Sequence, residues 1–296
     1  MEHKLNQLNL NNEKELYKEL KPLLNCIDYT VSNESYEIMY NQEYDLLVTS
    51  PVPSNLEKYY LSNSYISHTD SKKTLIDKIY QIVKNYSLKR KLHLINSFNT
   101  EEKTILDIGA GTGDFLKICS KNNWLITGVE PSKIARELAY KKGVFLEEDI
   151  SKIEDKKFDV ITLWHVLEHV PNLFEFITTI EKLLKPNGKL VIAVPNFNSY
   201  DAKHYKEFWA AYDVPRHLWH FSQTSIQKIF INFNLSTEKI VPMKFDSFYV
   251  SMLSEKYKTK KSNYMKAFYI GLLSNFKAKK TKEYSSLIYI LKNSKN

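Results

Sequence analysis

Gly109, Gly111 and Gly113 fall within five residues of a 296-residue chain that has only seven glycines. A turn of this kind lets backbone N–H groups approach a ligand with no Cβ in the way. Leu106-Asp107-Ile108 before it reads as a strand, and Asp114-Phe115 after it as a helix start. The loop therefore also presents the positive end of a helix. Glu130 stands at the end of the next strand, followed by Pro131 and Ser132. A carboxylate there can accept both hydroxyls of a ribose. The spacing is G-x-G-x-G, with Asp114 where a dinucleotide loop carries its last glycine. A pyrophosphate has no cradle here; a ribose without phosphate fits better.

Two further groups of residues could do chemistry. Trp164-His165-Val166-Leu167-Glu168-His169 follows the fourth strand of the repeat, at the end of the sheet where open α/β folds bind ligands. His165 is the residue best placed to touch cofactor or substrate. Glu168 and His169 either take part or fix the loop. His165-x-x-x-His169 is not a zincin motif, because Val166 stands where that pattern has Glu. The second group is Asp213-Val214-Pro215-Arg216-His217-Leu218-Trp219-His220-Phe221-Ser222. Histidine titrates near neutral pH, so His217 and His220, with His165 behind them, are candidate proton acceptors. Arg216 either binds an anionic acceptor or pairs with Asp213.

These residues need elements to hold them. From Lys103 onward the pattern is strand, loop and helix in repetition. Strands are expected at 104–108, 124–130, 144–146, 158–163 and 189–194, and helices at 114–121, 132–142 and 173–184. That alternation implies an α/β fold with a mostly parallel sheet and helices on both faces. Strands at 240–245 and 286–291, with two helices between them, complete the sheet. Before it, apolar residues from Leu75 to Ile95 at helical spacing predict a long amphipathic helix over 71–97. Earlier still, 36–40 and 45–49 read as short strands, and Tyr59, Tyr60, Tyr65 and His68 lie in an aromatic loop that is either a lid or packing.

Asp107-Ile108-Gly109-Ala110-Gly111-Thr112-Gly113, with Glu130 following, resembles the first motif and acidic loop of class I S-adenosylmethionine-dependent methyltransferases. That resemblance implies a Rossmann-like, seven-stranded sheet. It places the cofactor against Asp107, Gly109, Ala110, Gly111, Gly113, Phe115, Glu130, Pro131, Asp149, Ile150, Trp164 and His165. Within that set Glu130 would hold the ribose, and Asp149 would face the adenine. The stretch from Phe158 to Asn172 is similar to small-molecule members. The D-x-P-R-H-L-x-H-F-S string resembles a type 11/12 or 23 bacterial subgroup found near envelope-polysaccharide genes. That subgroup implies transfer to a small or carbohydrate-like acceptor at oxygen, with His165, His217, His220 and Arg216 as catalytic candidates. Relatives carry a small N-terminal zinc ribbon. Here Asn41 and Tyr44 occupy the C-x-x-C positions and only Cys26 remains, so no metal is expected. The division implied is an N-terminal extension to about residue 70, the long helix over 71–98, and a methyltransferase domain over 99–296. Inserts lie at about 196–222 and 247–283.

Composition bounds the alternatives. Two cysteines build no disulfide framework. No apolar run is long enough for a membrane span, and the polar N-terminus argues against a cleaved signal, so a cytoplasmic protein is expected. The net charge of +8 is concentrated after Ser254, where eleven Lys face two acids. Arg, the residue suited to reading phosphates and bases, occurs three times. A solvated basic face is thus expected ahead of a nucleic-acid site. The rivals are an RNA or protein methyltransferase using that face, a nicotinamide oxidoreductase, which Asp114 disfavours, and a non-catalytic partner of membrane glycosyltransferases. The last draws on the Lys and aromatic residues around Tyr264–Ile270, which suit peripheral membrane contact. Oligomeric state is not legible.

Overall fold

The computed structural model describes residues 13–60, 75–153 and 156–294, with only the backbone described for 75–80. Tyr65, His68 and the expected start of the long helix lie outside the described residues.

Two sheets organise the chain. The larger has six strands: β4 (Thr104–Ile108), β5 (Leu125–Val129), β6 (Phe158–Trp164), β7 (Leu184–Pro195), β9 (Leu235–Pro242) and β10 (Ser286–Asn293), in the order β5-β4-β6-β7-β10-β9. β4, β5, β6 and β7 are parallel, and β10 runs antiparallel to both β7 and β9. Four of the five residues of β4, Ile105 to Ile108, are buried, as expected for a strand covered on both faces. The strand expected at 144–146 is reduced to one parallel bridge, Val129 to Glu147, so among the described residues the sheet has six full strands and this bridge, close to the seven expected.

Other boundaries moved for local reasons. β7 begins at Leu184 because Lys185-Pro186-Asn187-Gly188 runs on as extended chain rather than closing the preceding helix. β9 begins at Leu235 instead of 240, directly after the left-handed Asn234. Helices α2 (Asp114–Ser120), α3 (Lys133–Lys141), α4 (Leu173–Leu183) and α6 (Gln223–Phe230) link the strands, with the short α5 (Tyr200–Tyr205) in the insert. Ser222 and Ser225 cap α6 reciprocally, which satisfies two otherwise unpaired backbone donors.

The long helix α1 (Leu75–Asn96) forms as expected. Among the helix residues whose side chains are described, Leu92 and Ile95 at the C-terminal end are buried, while Ile82 and Tyr86 face outward. A periodic pattern gives a face but not what covers it.

The smaller, antiparallel sheet joins β1 (Lys21–Ile27), β2 (Ser35–Asn41), β3 (Leu46–Ser50) and β8 (Trp219–His220). β8 comes from the insert and pairs Val48 with Trp219 and Leu47 with His220. Leu46 and Val48 share one apolar cluster with Leu106, Leu163 and Trp219. Thus the N-terminal extension packs on the main sheet and completes its edge with the insert. Asn41 closes the β2–β3 turn, accepting from the Tyr44 N–H and donating to the Glu15 and Leu16 carbonyls. Helices α7 (Asp246–Thr259) and α8 (Tyr264–Thr281) pack on each other between β9 and β10.

Candidate active site

The site lies at the carboxyl ends of β4, β5 and β6. β4 runs into Gly109, Gly111 and Gly113, all at positive φ of +70°, +54° and +73°. The three differ in what surrounds them. A Cβ at Gly109 would stand 2.4 Å from Val166 Cγ2, and one at Gly113 3.0 Å from Ala139, whereas one at Gly111 would project into open space. Gly109 is thus needed for close approach to the loop after β6. Gly111 leaves its side of the turn free.

Glu130 reaches back over that turn. Its Oε2 accepts from the Gly111 N–H at 2.8 Å, and its Oε1 accepts from the Ser132 N–H at 2.9 Å. The Glu130 and Pro131 carbonyls both accept from Arg136 Nη1 at 2.7 Å. The carboxylate is therefore already aimed beside the glycine loop. Asp114, the residue that breaks the dinucleotide spacing, is held by Lys84 at 2.7 Å and Lys142 at 2.8 Å. Those two lysines bind the turn to α1 and α3, and hold the Asp114 carboxyl below its usual range against the effect of burial.

Asp107 lies below the loop, 1% exposed, and accepts from Thr162 Oγ1. Burial pushes its carboxyl up to about 7, although Thr162 and Lys91 pull the other way. Lys91, from α1, stands 4.2 Å from the Trp164 ring centre and is itself lowered to about 8 by burial. Phe115 meets Trp164 edge to face at 5.5 Å. Asp107 and Phe115 thus lie beneath the loop, in contact with Thr162 and Trp164. Asp149 caps a short turn by accepting from the Ser151 N–H, and Ile150 is partly buried against the core.

His165 sits at positive φ, +59°, with its N–H donating to the Ala193 carbonyl. Its Nδ1 lies 3.3 Å from Glu168 Oε1 and its Nε2 lies 3.2 Å from Asp246 Oδ2. Burial would lower its pKa, but the two carboxylates raise it to about 10. The two carboxylates thus favour the protonated form of His165. Asp246, at the start of α7, carried no sequence signal, since its partner lies on a distant loop.

The Arg216–His220 stretch is buried. Arg216 Nη2 donates to Asp213 Oδ1, so the ion pair is formed. His217 Nδ1 is 2.9 Å from the Ala211 carbonyl. Thr49 Oγ1 donates to the His217 carbonyl and sits 3.0 Å from His220 Nε2, and burial holds His220 well below its usual pKa. His220 therefore ties β8 to β3. His169 and His217 meet edge to face with ring centres 4.5 Å apart, and Tyr60 Oη lies 3.0 Å from His169 Nδ1. The structure brings His165, Glu168, His169 and His217 together, and leaves His220 behind them in packing.

A six-stranded, mostly parallel sheet with a glycine turn and an acid after its second strand defines a nucleoside-binding α/β transferase class. Residues 65–240 match the family model described as Methyltransferase domain, and the chain belongs to this family of class I S-adenosylmethionine-dependent methyltransferases. It is similar to the ubiquinone biosynthesis O-methyltransferase of Histophilus somni (strain 2336), 33% identical over 109 residues, covering 32% of this chain and 46% of the relative. The corresponding protein of Coxiella burnetii (strain Dugway 5J108-111) is 30% identical over 127 residues, covering 37% and 54%. The chain thus spans about half the length of these curated relatives. Among solved structures, magnesium protoporphyrin IX methyltransferase from Synechocystis PCC 6803 shares the fold. It has a TM-score of 0.52 and 13% identity, and the match covers 78% of this chain and 95% of that one. Among the described residues, no helix is long and apolar enough to cross a membrane.

Proposed function

We propose that this chain transfers the methyl group of S-adenosylmethionine to an oxygen of a small, carbohydrate-like acceptor, releasing S-adenosylhomocysteine. The observation that carries the reading is the open Gly111 turn with the Glu130 carboxylate aimed beside it. The solved relative from Synechocystis was crystallised with bound SAH, and the curated relatives are named as O-methyltransferases. When bound, the cofactor supplies an electrophilic methyl group on a sulfonium. The chain's own part is to hold and to exclude. Gly109–Gly113 and Glu130 would hold the nucleoside and methionine ends, with Asp149 and Ile150 at the adenine edge and Trp164 beneath. His165 faces the acceptor. To act as a base its Nε2 would first pass its own proton to Asp246 or to solvent, after which the nitrogen lone pair could take a hydroxyl proton. Arg216, His169 and His217 form the buried wall behind it.

A peripheral membrane contact through α8 belongs to the same proposal, because Met265, Phe268, Tyr269, Leu272 and Phe276 are all exposed beside Lys277, Lys279 and Lys280. The protein would then act in the cytoplasm at a lipid surface.

Calorimetric titration with S-adenosylhomocysteine tests the core of the reading. Gly111→Val and Glu130→Ala should each weaken binding by more than about tenfold, the loss of roughly 1.4 kcal/mol or more, while the folded circular dichroism spectrum persists. Unchanged affinity in both variants overturns the site.

A further inference from the structure

We propose that Glu168, His169 and His217 bind one divalent transition-metal ion on the acceptor side of the site. One donor atom from each residue lies within 4.8 Å of the others. The two imidazoles are held in the form that binds metals. His169 Nδ1 is 3.0 Å from the Arg216 carbonyl, and His217 Nδ1 is 2.9 Å from the Ala211 carbonyl. A carbonyl can only accept, so each Nδ1 carries the ring proton and each Nε2 keeps its lone pair. Backbone carbonyls orient metal-binding histidines in this way. Tyr60 Oη shares the His169 Nδ1–H at 3.0 Å and lies 3.5 Å from the Arg216 carbonyl. His217 Nε2 is 3.7 Å from Asp213 Oδ2, too far for a hydrogen bond.

Glu168 supplies the charge. It is wholly buried, and its Oε1 is engaged by His165. Among the described residues its Oε2 has no hydrogen-bond partner. A buried carboxylate oxygen without a partner is costly, and a cation between Glu168 and the two Nε2 atoms would satisfy all three donors. Two imidazoles and one carboxylate suit zinc, cobalt or iron rather than magnesium or calcium. Three protein ligands leave a coordination position for water or for an acceptor oxygen. Only that last occupant depends on the proposed function. The expectation of no metal followed from the missing N-terminal cysteines, and sequence does not show His217 beside the loop that carries Glu168 and His169.

The test is titration of tag-free, chelator-treated protein with Co²⁺, read by visible absorption, followed by displacement with Zn²⁺. One equivalent of Co²⁺ should give the spectrum of a low-coordinate nitrogen–oxygen site. His169→Gln and His217→Gln should each weaken binding by at least about 100-fold, since even orienting residues around a metal cost 10–100-fold. Should either variant fail to fold, the wild-type titration decides alone. Absence of stoichiometric binding by the folded wild type overturns the proposal, as does binding undiminished in folded variants. Titration of the same metal-free preparation with S-adenosylhomocysteine separates the two readings. Cofactor binding without metal binding removes the metal site alone, and metal binding without cofactor binding removes the proposed function alone.

Discussion

The proposed cofactor side and the proposed acceptor side of this site are built in opposite ways. On the cofactor side, the glycine turn and Glu130 use backbone N–H groups and one carboxylate from neighbouring strands, and Gly111 opens onto empty space. On the acceptor side, Glu168, Arg216, His217 and His220 are buried; Arg216 and His217 hold the nearby Asp213 and Ala211, and His220 reaches across the chain to Thr49. On the first side, Gly111 and Glu130 can be changed at little cost to the fold, whereas Gly109 cannot. The second is also part of the core, so its chemistry and its stability cannot be altered separately.

The largest effect expected from that contrast is on stability, on the acceptor side. Trp219 is fully buried in β8 and its Nε1 donates to the Val170 carbonyl at 2.7 Å. Trp219→Ala should lose about 3–5 kcal/mol in denaturant unfolding, and a loss below about 1 kcal/mol would break the comparison. On the cofactor side, Gly109→Ala brings both positive φ and a 2.4 Å approach to Val166 Cγ2, for about 1–3 kcal/mol. Combining it with Val166→Ala should recover the steric part. Gly111→Ala meets no neighbour, and should cost about 1 kcal/mol through φ alone.

Asp107 gives a pH signature. Its folded pKa, pushed up to about 7 by burial, lies above its unfolded value. Its contribution to stability is present in full below the ordinary carboxylate range and is lost as pH rises through about 7. Asp107→Asn should flatten the fall in stability between those limits, measured by urea unfolding across pH. An unchanged slope would show that Asp107 titrates normally. The smallest effect belongs to Asp114→Ala. Its two lysine pairs are partly exposed and are worth about 1 kcal/mol together. Cofactor affinity should change less than for Glu130→Ala.

Much of the cofactor side was legible because its geometry is local. A strand, a glycine turn and an acid at the end of the next strand place their atoms through backbone spacing alone, and Gly109 to Glu130 is a single strand–helix–strand unit. Even there, the part played by Asp114 was only half visible. Its type argued against a dinucleotide, but its partners Lys84 and Lys142 come from two separate helices. The expected third strand shrank to a bridge at Glu147, since a three-residue apolar stretch does not by itself secure a ladder.

The acceptor side read less well. The residue types in Arg216–His220 suggested chemistry, and the structure buries them and spends His220 on Thr49 and Arg216 on Asp213. Asp246 gave no signal, and it caps His165. Two of the N-terminal strands were foreseen, at 36–40 and 45–49, but β1 and the pairing of β3 with the insert through Trp219 and His220 were not.

By itself, the sequence determined the strand–helix alternation, the glycine turn and the acid beside it, because backbone conformation and side-chain periodicity act over a few residues. Only the tertiary structure decided which histidine stays near the ligand, which is buried, and which three donors converge. Those outcomes depend on burial and on partners far apart in the chain, where the cost of desolvating a charge is met by a group no local pattern reveals.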